Sequence, residues 1–120
     1  MTIKRFEDFA VWQRAKALSV VVYGVTNEGA FARDFGLRDQ IRRAAVSIMS
    51  NIAEGFERYS RTEFRHFLSI ARGSAAEVRS QLHLARDLGY LEEADFRFLY
   101  DEAMEISLML GSLRSKVNGR

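Results

Sequence analysis

The segment from Phe35 to Gly55 carries two stripes at helical spacing, and it constrains the fold more than any other part of the chain. At 100° per residue, apolar and small residues share one arc, namely Leu37, Ile41, Ala44, Ala45, Ile48, Ile52 and Gly55. Beside this arc runs a polar row formed by Gln40, Arg43, Ser47, Asn51 and Glu54. Polar groups this close to a buried face need hydrogen-bonding partners. The row is therefore predicted to contact its own domain, a second subunit or a ligand.

Periodicity and capping signals predict four helices. They run from about Asp8 to Val25, Leu37 to Glu57, Ser60 to Leu88 and Glu92 to Val117. Asp8 and Ser60 are the expected N-caps, Gly89 is expected to end the third helix, and residues 26–36 are expected to form a longer link. Short connections favour antiparallel neighbours. The predicted fold is all-α, an antiparallel up-down four-helix bundle in which residues 1–120 form one domain.

Composition agrees with one soluble core. In 120 residues, 48% are hydrophobic and none is cysteine. The absence of cysteine excludes disulfides, a thiolate nucleophile and a zinc ribbon. The N-terminus reaches acidic residues before any apolar run of signal-peptide length, and no segment has the ~18 apolar residues of a membrane span. We therefore expect a cytoplasmic protein without a membrane interaction.

Several apolar residues fall outside the predicted core stripes. The fourth helix presents its core stripe as Phe96, Leu99, Ala103, Ile106, Leu110, Leu113 and Val117. Phe98, Leu108 and Met109 lie off that stripe, as do Val46 and Ala53 on the second helix. Contact with further copies of the chain would cover these side chains, and we predict a homo-oligomer.

The third helix carries a row of arginines at seven-residue spacing, formed by Arg58, Arg65, Arg72, Arg79 and Arg86. The last four have no acidic residue three or four positions away, so their counter-charges must lie elsewhere. One interpretation pairs them with Asp101, Glu102, Glu105, Glu92 or Glu93 of the fourth helix, or with acids of another subunit. The other interpretation is a phosphate-binding surface. Arg38 and Arg42 either extend that basic surface or belong to an ordinary solvated face.

Fifteen of the 18 basic residues are arginine, which reflects either selection for two-pronged contacts or a GC-rich genome.

No catalytic or metal-binding motif is complete. The spacing of Glu63 and His66 fits half of a di-iron site in a helical bundle, but the second half is missing because His83 is preceded by Ser80. Patterns for a nucleophile elbow or a P-loop are also absent. We therefore predict no enzyme activity, no metal or other cofactor, and no small-molecule substrate.

The chain resembles the small bacterial four-helix-bundle proteins first noticed as reading frames within intervening sequences of 23S ribosomal RNA genes. The resemblance is carried by Phe6, Phe9, Val11, Trp12, Gln13, the run from Gly36 to Gly55, Phe64, Phe67, Leu68, Ile70, Ala71, Gly73, Ser74, Glu77 and the run from Leu88 to Leu91. This chain has Met49 where relatives often have proline. The resemblance implies a homo-oligomer, usually a pentamer, without an established catalytic activity. A related branch, the accessory proteins of diversity-generating retroelements, is basic and binds nucleic acid.

Two hypotheses about function follow. In the first, the chain is a non-enzymatic oligomer that binds RNA or other nucleic acid through its arginine rows with little base specificity. In the second, it is a protein–protein interaction scaffold, and the arginines and the polar row are used in internal or intersubunit pairs.

Overall fold

The structure, a computed structural model, describes residues 3–118, with the backbone alone at residue 118. The ends of the predicted 1–120 domain, residues 1, 2, 119 and 120, lie outside the described residues. A 3-10 helix, Phe6–Asp8, precedes five α-helices, which are α1 (Ala10–Val25), α2 (Gly29–Arg33), α3 (Phe35–Phe56), α4 (Arg61–Asp87) and α5 (Glu93–Asn118). No strand occurs between residues 3 and 118. The predicted all-α class is confirmed.

The four long helices contact one another in a closed order. Helix α1 packs against α3 and α5, and α4 packs against the same two helices. Contacting residue numbers rise along α3 while they fall along α4, as shown by the hydrogen bonds Gln40–Gln81 and Ser47–Ser74. The resulting body measures 47 × 21 × 20 Å.

The core is the apolar arc that the sequence predicts on α3, together with matching faces of the other helices. All seven predicted α3 residues, Leu37 through Gly55, are buried. On α5 the predicted stripe is buried from Phe96 to Leu110, whereas Leu113 and Val117 are half-buried. These predictions are confirmed. Apolar residues at a 3.6-residue repeat share one face of a helix, and packing that face removes their surface from water.

The predicted start of the first helix is wrong. Asp8 ends the 3-10 helix, and its carboxylate lies 3.6 Å from the Arg5 guanidinium. Helix α1 begins after Phe9, which has extended backbone angles and no side-chain cap. The ring of Phe9 instead packs edge-on against Phe56, at a centroid distance of 5.3 Å. Aromatic packing, rather than a carboxylate cap, fixes the entry into α1.

The link predicted for residues 26–36 contains α2, which sequence periodicity did not indicate. Its Phe31 is fully buried and packs against Tyr90 at 5.1 Å between ring centroids. Asp34 then caps α3 by accepting a hydrogen bond from the Leu37 backbone N–H, so this helix begins at Phe35. The second carboxylate oxygen of Asp34 accepts from the Tyr90 hydroxyl at 2.9 Å. This hydrogen bond raises the pKa of Tyr90.

Both predicted boundaries of α4 are confirmed. The Ser60 hydroxyl accepts from the Glu63 backbone N–H at 3.1 Å. At the other end, Gly89 has φ +79°, and the backbone N–H groups of Gly89 and Tyr90 donate to the carbonyls of Arg86 and Ala85. This Schellman motif needs a residue without a Cβ penalty at positive φ.

Helices α3 and α4 approach each other closely at Gly55. A Cβ added there would lie 2.6 Å from the Phe67 Cβ and 3.1 Å from a ring carbon of Phe64. The Phe67 Cβ is attached directly to the backbone and cannot rotate away. Glycine at this position therefore sets the distance between the two helices.

We predict that Gly55→Ala is less stable than the matched variant Gly73→Ala by about 1 to 3 kcal/mol, the usual cost of overpacking. A Cβ at Gly73 meets nothing within 4 Å, so Gly73→Ala gains helix propensity without a clash. Urea unfolding followed by circular dichroism measures the difference. Equal stability of the two variants would show that α4 shifts freely against α3.

Candidate nucleic-acid interface

The part of the arginine row from Arg72 to Arg86 lies along the boundary with α5, and the two ends of the row form ion pairs. Arg58, in the turn before α4, forms an ion pair with Glu54 at 2.8 Å. Arg86 lies 3.8 Å from both Asp87 and Glu93, and its guanidinium stacks 3.9 Å from the centre of the Phe96 ring. These two side chains have local partners that compensate their charge.

The middle of the row differs from its ends. Arg65, Arg72 and Arg79 have no carboxylate within 4.0 Å among the side chains of residues 3–117. Of the five acids on and just before α5 that were predicted as partners, Glu93 alone contacts the row. Glu102 pairs instead with Arg14 of α1 at 2.8 Å, and this contact raises the pKa of the Arg14 guanidinium.

Among these central arginines, which have no carboxylate partner among the described side chains, Arg65 and Arg79 are half-buried and Arg72 is exposed. The Arg72 guanidinium reaches across to α5, where a Cβ added at Gly111 would lie 3.6 Å from its Cζ. Arg79 extends over Tyr100, with 6.0 Å from Cζ to the ring centre. The Nε atoms of Arg65 and Arg79 are buried without a hydrogen-bond partner in the described part of the chain. Buried donors without acceptors carry an energetic cost that a ligand would relieve.

A groove of about 400 Å³ follows the α4–α5 boundary at this place. We call it the basic groove, and its lining residues are Ser69, Arg72, Gly73, Ala76, Arg79, Met104, Ser107, Leu108 and Arg114. Three of these side chains are cationic and none is acidic. The groove therefore favours an anionic, acceptor-rich ligand.

The sequence prediction missed Arg114 and Ser107. Arg114 adds a charge from α5, and its Nε donates to the Ser69 hydroxyl at 2.8 Å. Its role depends on the pairing of α4 with α5, which brings residues 45 positions apart together. The short connection between these helices was the available signal, because it fixes which residues lie opposite one another.

Arg38 and Arg42 are not brought together with the α4 row. Arg38 forms an ion pair with Asp39 at 3.0 Å, and it donates a hydrogen bond to the Ala32 carbonyl. The Arg42 Nε donates to the buried Thr26 hydroxyl at 2.8 Å, and its guanidinium stacks 4.4 Å from the Tyr23 ring centre. Both side chains stabilise the region around α1, α2 and the start of α3.

The polar row of α3 follows the boundary with α4. Ser47 and Asn51 are half-buried, and the Ser47 hydroxyl accepts from both Ser74 and Asn51 at 2.9 Å. The other three members, Gln40, Arg43 and Glu54, are exposed in the single chain. Partners inside the domain therefore account for four of the five members, because Gln40 accepts from Gln81 at 3.4 Å and Glu54 pairs with Arg58 at 2.8 Å.

The described residues form neither a metal site nor a membrane-spanning helix. Glu63 and His66 are both exposed, and no group of three or more His, Asp or Glu side chains among residues 3–117 is arranged to hold a metal ion. Within the helices of the described chain, none is long and apolar enough to cross a bilayer.

These features define an all-helical protein with a basic groove between its last two helices. The chain matches the 23S rRNA-intervening sequence protein family over residues 7–112, and it belongs to that family. It is similar to a crystal structure of a protein of unknown function from the S23 ribosomal protein family of Bacteroides thetaiotaomicron. The identity is 25%, the TM-score is 0.81, and the match covers 88% of this chain and 98% of that one. No curated protein matches the chain.

We predict that Glu54→Ala changes the free energy of unfolding by no more than about 0.5 kcal/mol, because its ion pair with Arg58 is exposed. Ser47→Ala is the contrasting variant and is expected to cost about 1 to 3 kcal/mol, since the buried Ser74 hydroxyl loses its acceptor. Thermal and urea unfolding measure both effects. A loss of about 3 to 5 kcal/mol in Glu54→Ala would indicate that another subunit buries this part of the row.

Proposed function

We propose that this protein is a non-enzymatic, cytoplasmic homo-oligomer that binds RNA or other nucleic acid through phosphate contacts in the basic groove. The observation that carries the proposal is the set of guanidinium groups on Arg65, Arg72, Arg79 and Arg114, which have no carboxylate partner among the described side chains. Arginine forms two parallel hydrogen bonds with a phosphate, so such a set suits a sugar–phosphate backbone.

The family supports this class of partner. Its name refers to 23S rRNA, and nucleic acid is therefore the partner that the proposal adopts. Contacts to phosphates carry no sequence information by themselves. The groove supplies mainly such contacts, so binding is expected to discriminate weakly among base sequences.

The arrangement that we propose for the fold and assembly is an up-down four-helix bundle that forms a homo-oligomer. The opposite directions of contacting residues on neighbouring helices support the bundle. Large apolar side chains that remain exposed in the single chain support the assembly, and they include Val20, Ile70, Leu84, Leu88, Phe98 and Leu108. The resemblance stated above implies five subunits.

The same exposed side chains favour a second candidate function, a protein–protein interaction scaffold. Leu84 of α4 and Leu88, the residue that caps its C-terminus, lie one turn apart and are each about half exposed. An apolar strip of this kind is a common feature of protein interfaces. In this alternative the arginines bind carboxylates of a partner protein instead of phosphates.

We predict a stable oligomer of five chains when mass is measured by light scattering coupled to size exclusion at micromolar concentration. Phe98→Asp and Leu84→Asp, each about half exposed in the single chain and outside the basic groove, are expected to weaken assembly without unfolding the chain. A monomer at all micromolar concentrations would overturn the assembly proposal. Unchanged assembly in both variants would place the interface on another face.

We predict that the double variant Arg72→Gln/Arg79→Gln weakens RNA binding about equally across sequences. In fluorescence anisotropy at about 50 to 200 mM salt, affinity should fall steeply with salt. Each phosphate contact on a single strand contributes about 0.7 to the log–log slope, so loss of two contacts should reduce the slope by about 1.4.

A matched control removes the same charge elsewhere. Arg33 and Arg97 are exposed and lie outside the basic groove, so Arg33→Gln/Arg97→Gln should retain nearly all binding. Equal losses in the two double variants would indicate diffuse attraction rather than a site. No binding by the parent at about 50 mM salt would favour the scaffold.

A further inference from the structure

The central part of the basic groove has an open, apolar floor. Between Arg72 and Arg79, helix α4 contributes the small residues Gly73 and Ala76, and a Cβ added at Gly73 meets nothing within 4 Å. The opposite wall consists of Met104 and Leu108 of α5. A volume of about 400 Å³ lies at the small end of the range for ligand pockets. A flat ring with one attached phosphate fits a space of this size.

The groove also contains an unpartnered buried hydroxyl. Ser107 lines the groove and is 5% exposed, yet its Oγ forms no hydrogen bond within the described chain. The nearby Nε of Arg79 is likewise buried and without an acceptor. In helices a serine hydroxyl often bonds to the carbonyl four residues earlier, as Ser19 does with Ala15, and Ser107 does not. Its hydroxyl is left for a ligand.

We propose that the basic groove holds one nucleotide unit of a single-stranded nucleic acid. The phosphates on either side of this unit lie against the guanidinium groups of Arg72 and Arg79, whose positions are about 10 Å apart along α4. The base enters the apolar floor between Met104 and Gly73. The Ser107 hydroxyl bonds to an acceptor on the base or sugar. This inference rests on the proposed function and adds selection for single strands.

Preference for single strands follows from the shape of the groove. The faces of paired bases are covered by their neighbours in a duplex, so a base reaches the floor only from an unpaired strand. A duplex still brings phosphates to the arginines at the mouth of the groove. The groove is therefore expected to bind both forms, with the single strand favoured by the added contacts of the base.

The decisive variant is Gly73→Leu, because a Cβ at this position meets nothing within 4 Å and the rest of the leucine side chain would occupy the floor. Gly24→Leu is the matched control, since a Cβ at this α1 glycine also meets nothing within 4 Å and Gly24 lies outside the groove. Both variants keep every arginine. Size exclusion with light scattering first establishes that each retains the oligomeric state of the parent.

Anisotropy with a labelled 12-nucleotide RNA, alone or annealed to its complement, then tests the proposal. The parent should bind the single strand about tenfold more tightly than the duplex, the size of one base-stacking contribution. Gly73→Leu should lose this preference and retain duplex binding, and Gly24→Leu should behave as the parent. Equal binding of both RNAs by the parent, or an unchanged preference in Gly73→Leu, would overturn the inference and leave the proposed function standing.

Two further outcomes separate the inference from the proposed function. If the parent binds neither RNA, the proposed function fails, and NMR titration with a 5′-nucleoside monophosphate decides the inference alone. Amide shift changes at Met104 and Ser107 that occur in the parent and disappear in Gly73→Leu would support a nucleotide site in the basic groove. The absence of such shift changes in the parent would overturn the inference. A changed oligomeric state in Gly73→Leu alone would assign the groove to a second copy of the chain and would also overturn it.

Discussion

The close approach of α3 and α4 at Gly55 is the constraint on which the rest of the molecule depends. With Phe67 packed directly against the glycine, α4 has little freedom to rotate about its axis. In this fixed orientation about its axis, α4 buries its apolar stripe, and the Ser74 hydroxyl donates to the Ser47 hydroxyl. The same orientation also turns the arginine positions toward α5. A glycine on one helix therefore determines where the charges of another helix lie.

The boundary between α4 and α5 combines two requirements that usually conflict. Long arginine stems cover apolar and aromatic surface, which removes that surface from water. Their charged ends then need partners, and only the outer arginines of the row have them. At the centre, Arg79 is half-buried against Tyr100 and Arg72 is exposed, and neither has a carboxylate partner among the described side chains. The half-buried Arg79 loses less side-chain entropy than a free side chain when it binds an acceptor.

The sequence predicted those parts of the structure that depend on local spacing. Patterns within one or two helical turns were enough to predict the core arc of α3, the N-cap at Ser60 and the end of α4 at Gly89. Helix α2 was missed because five residues carry no usable periodicity and depend on the distant partner Tyr90 for the burial of Phe31. The contribution of Arg114 was missed for the same reason, since it comes from tertiary pairing.

The stacking of guanidinium groups on aromatic rings has a consequence for how this chain tolerates substitution. Among the side chains that the structure describes, six arginines lie over aromatic rings, namely Arg38, Arg42, Arg58, Arg79, Arg86 and Arg97. Lysine preserves the charge but has no planar group to stack and no fork of donors. At these sites the two residues are not equivalent, because lysine would keep the charge and lose the stacking contact. The net charge of +2 therefore gives no indication of these stacking contacts, which depend on the shape of the arginine side chain.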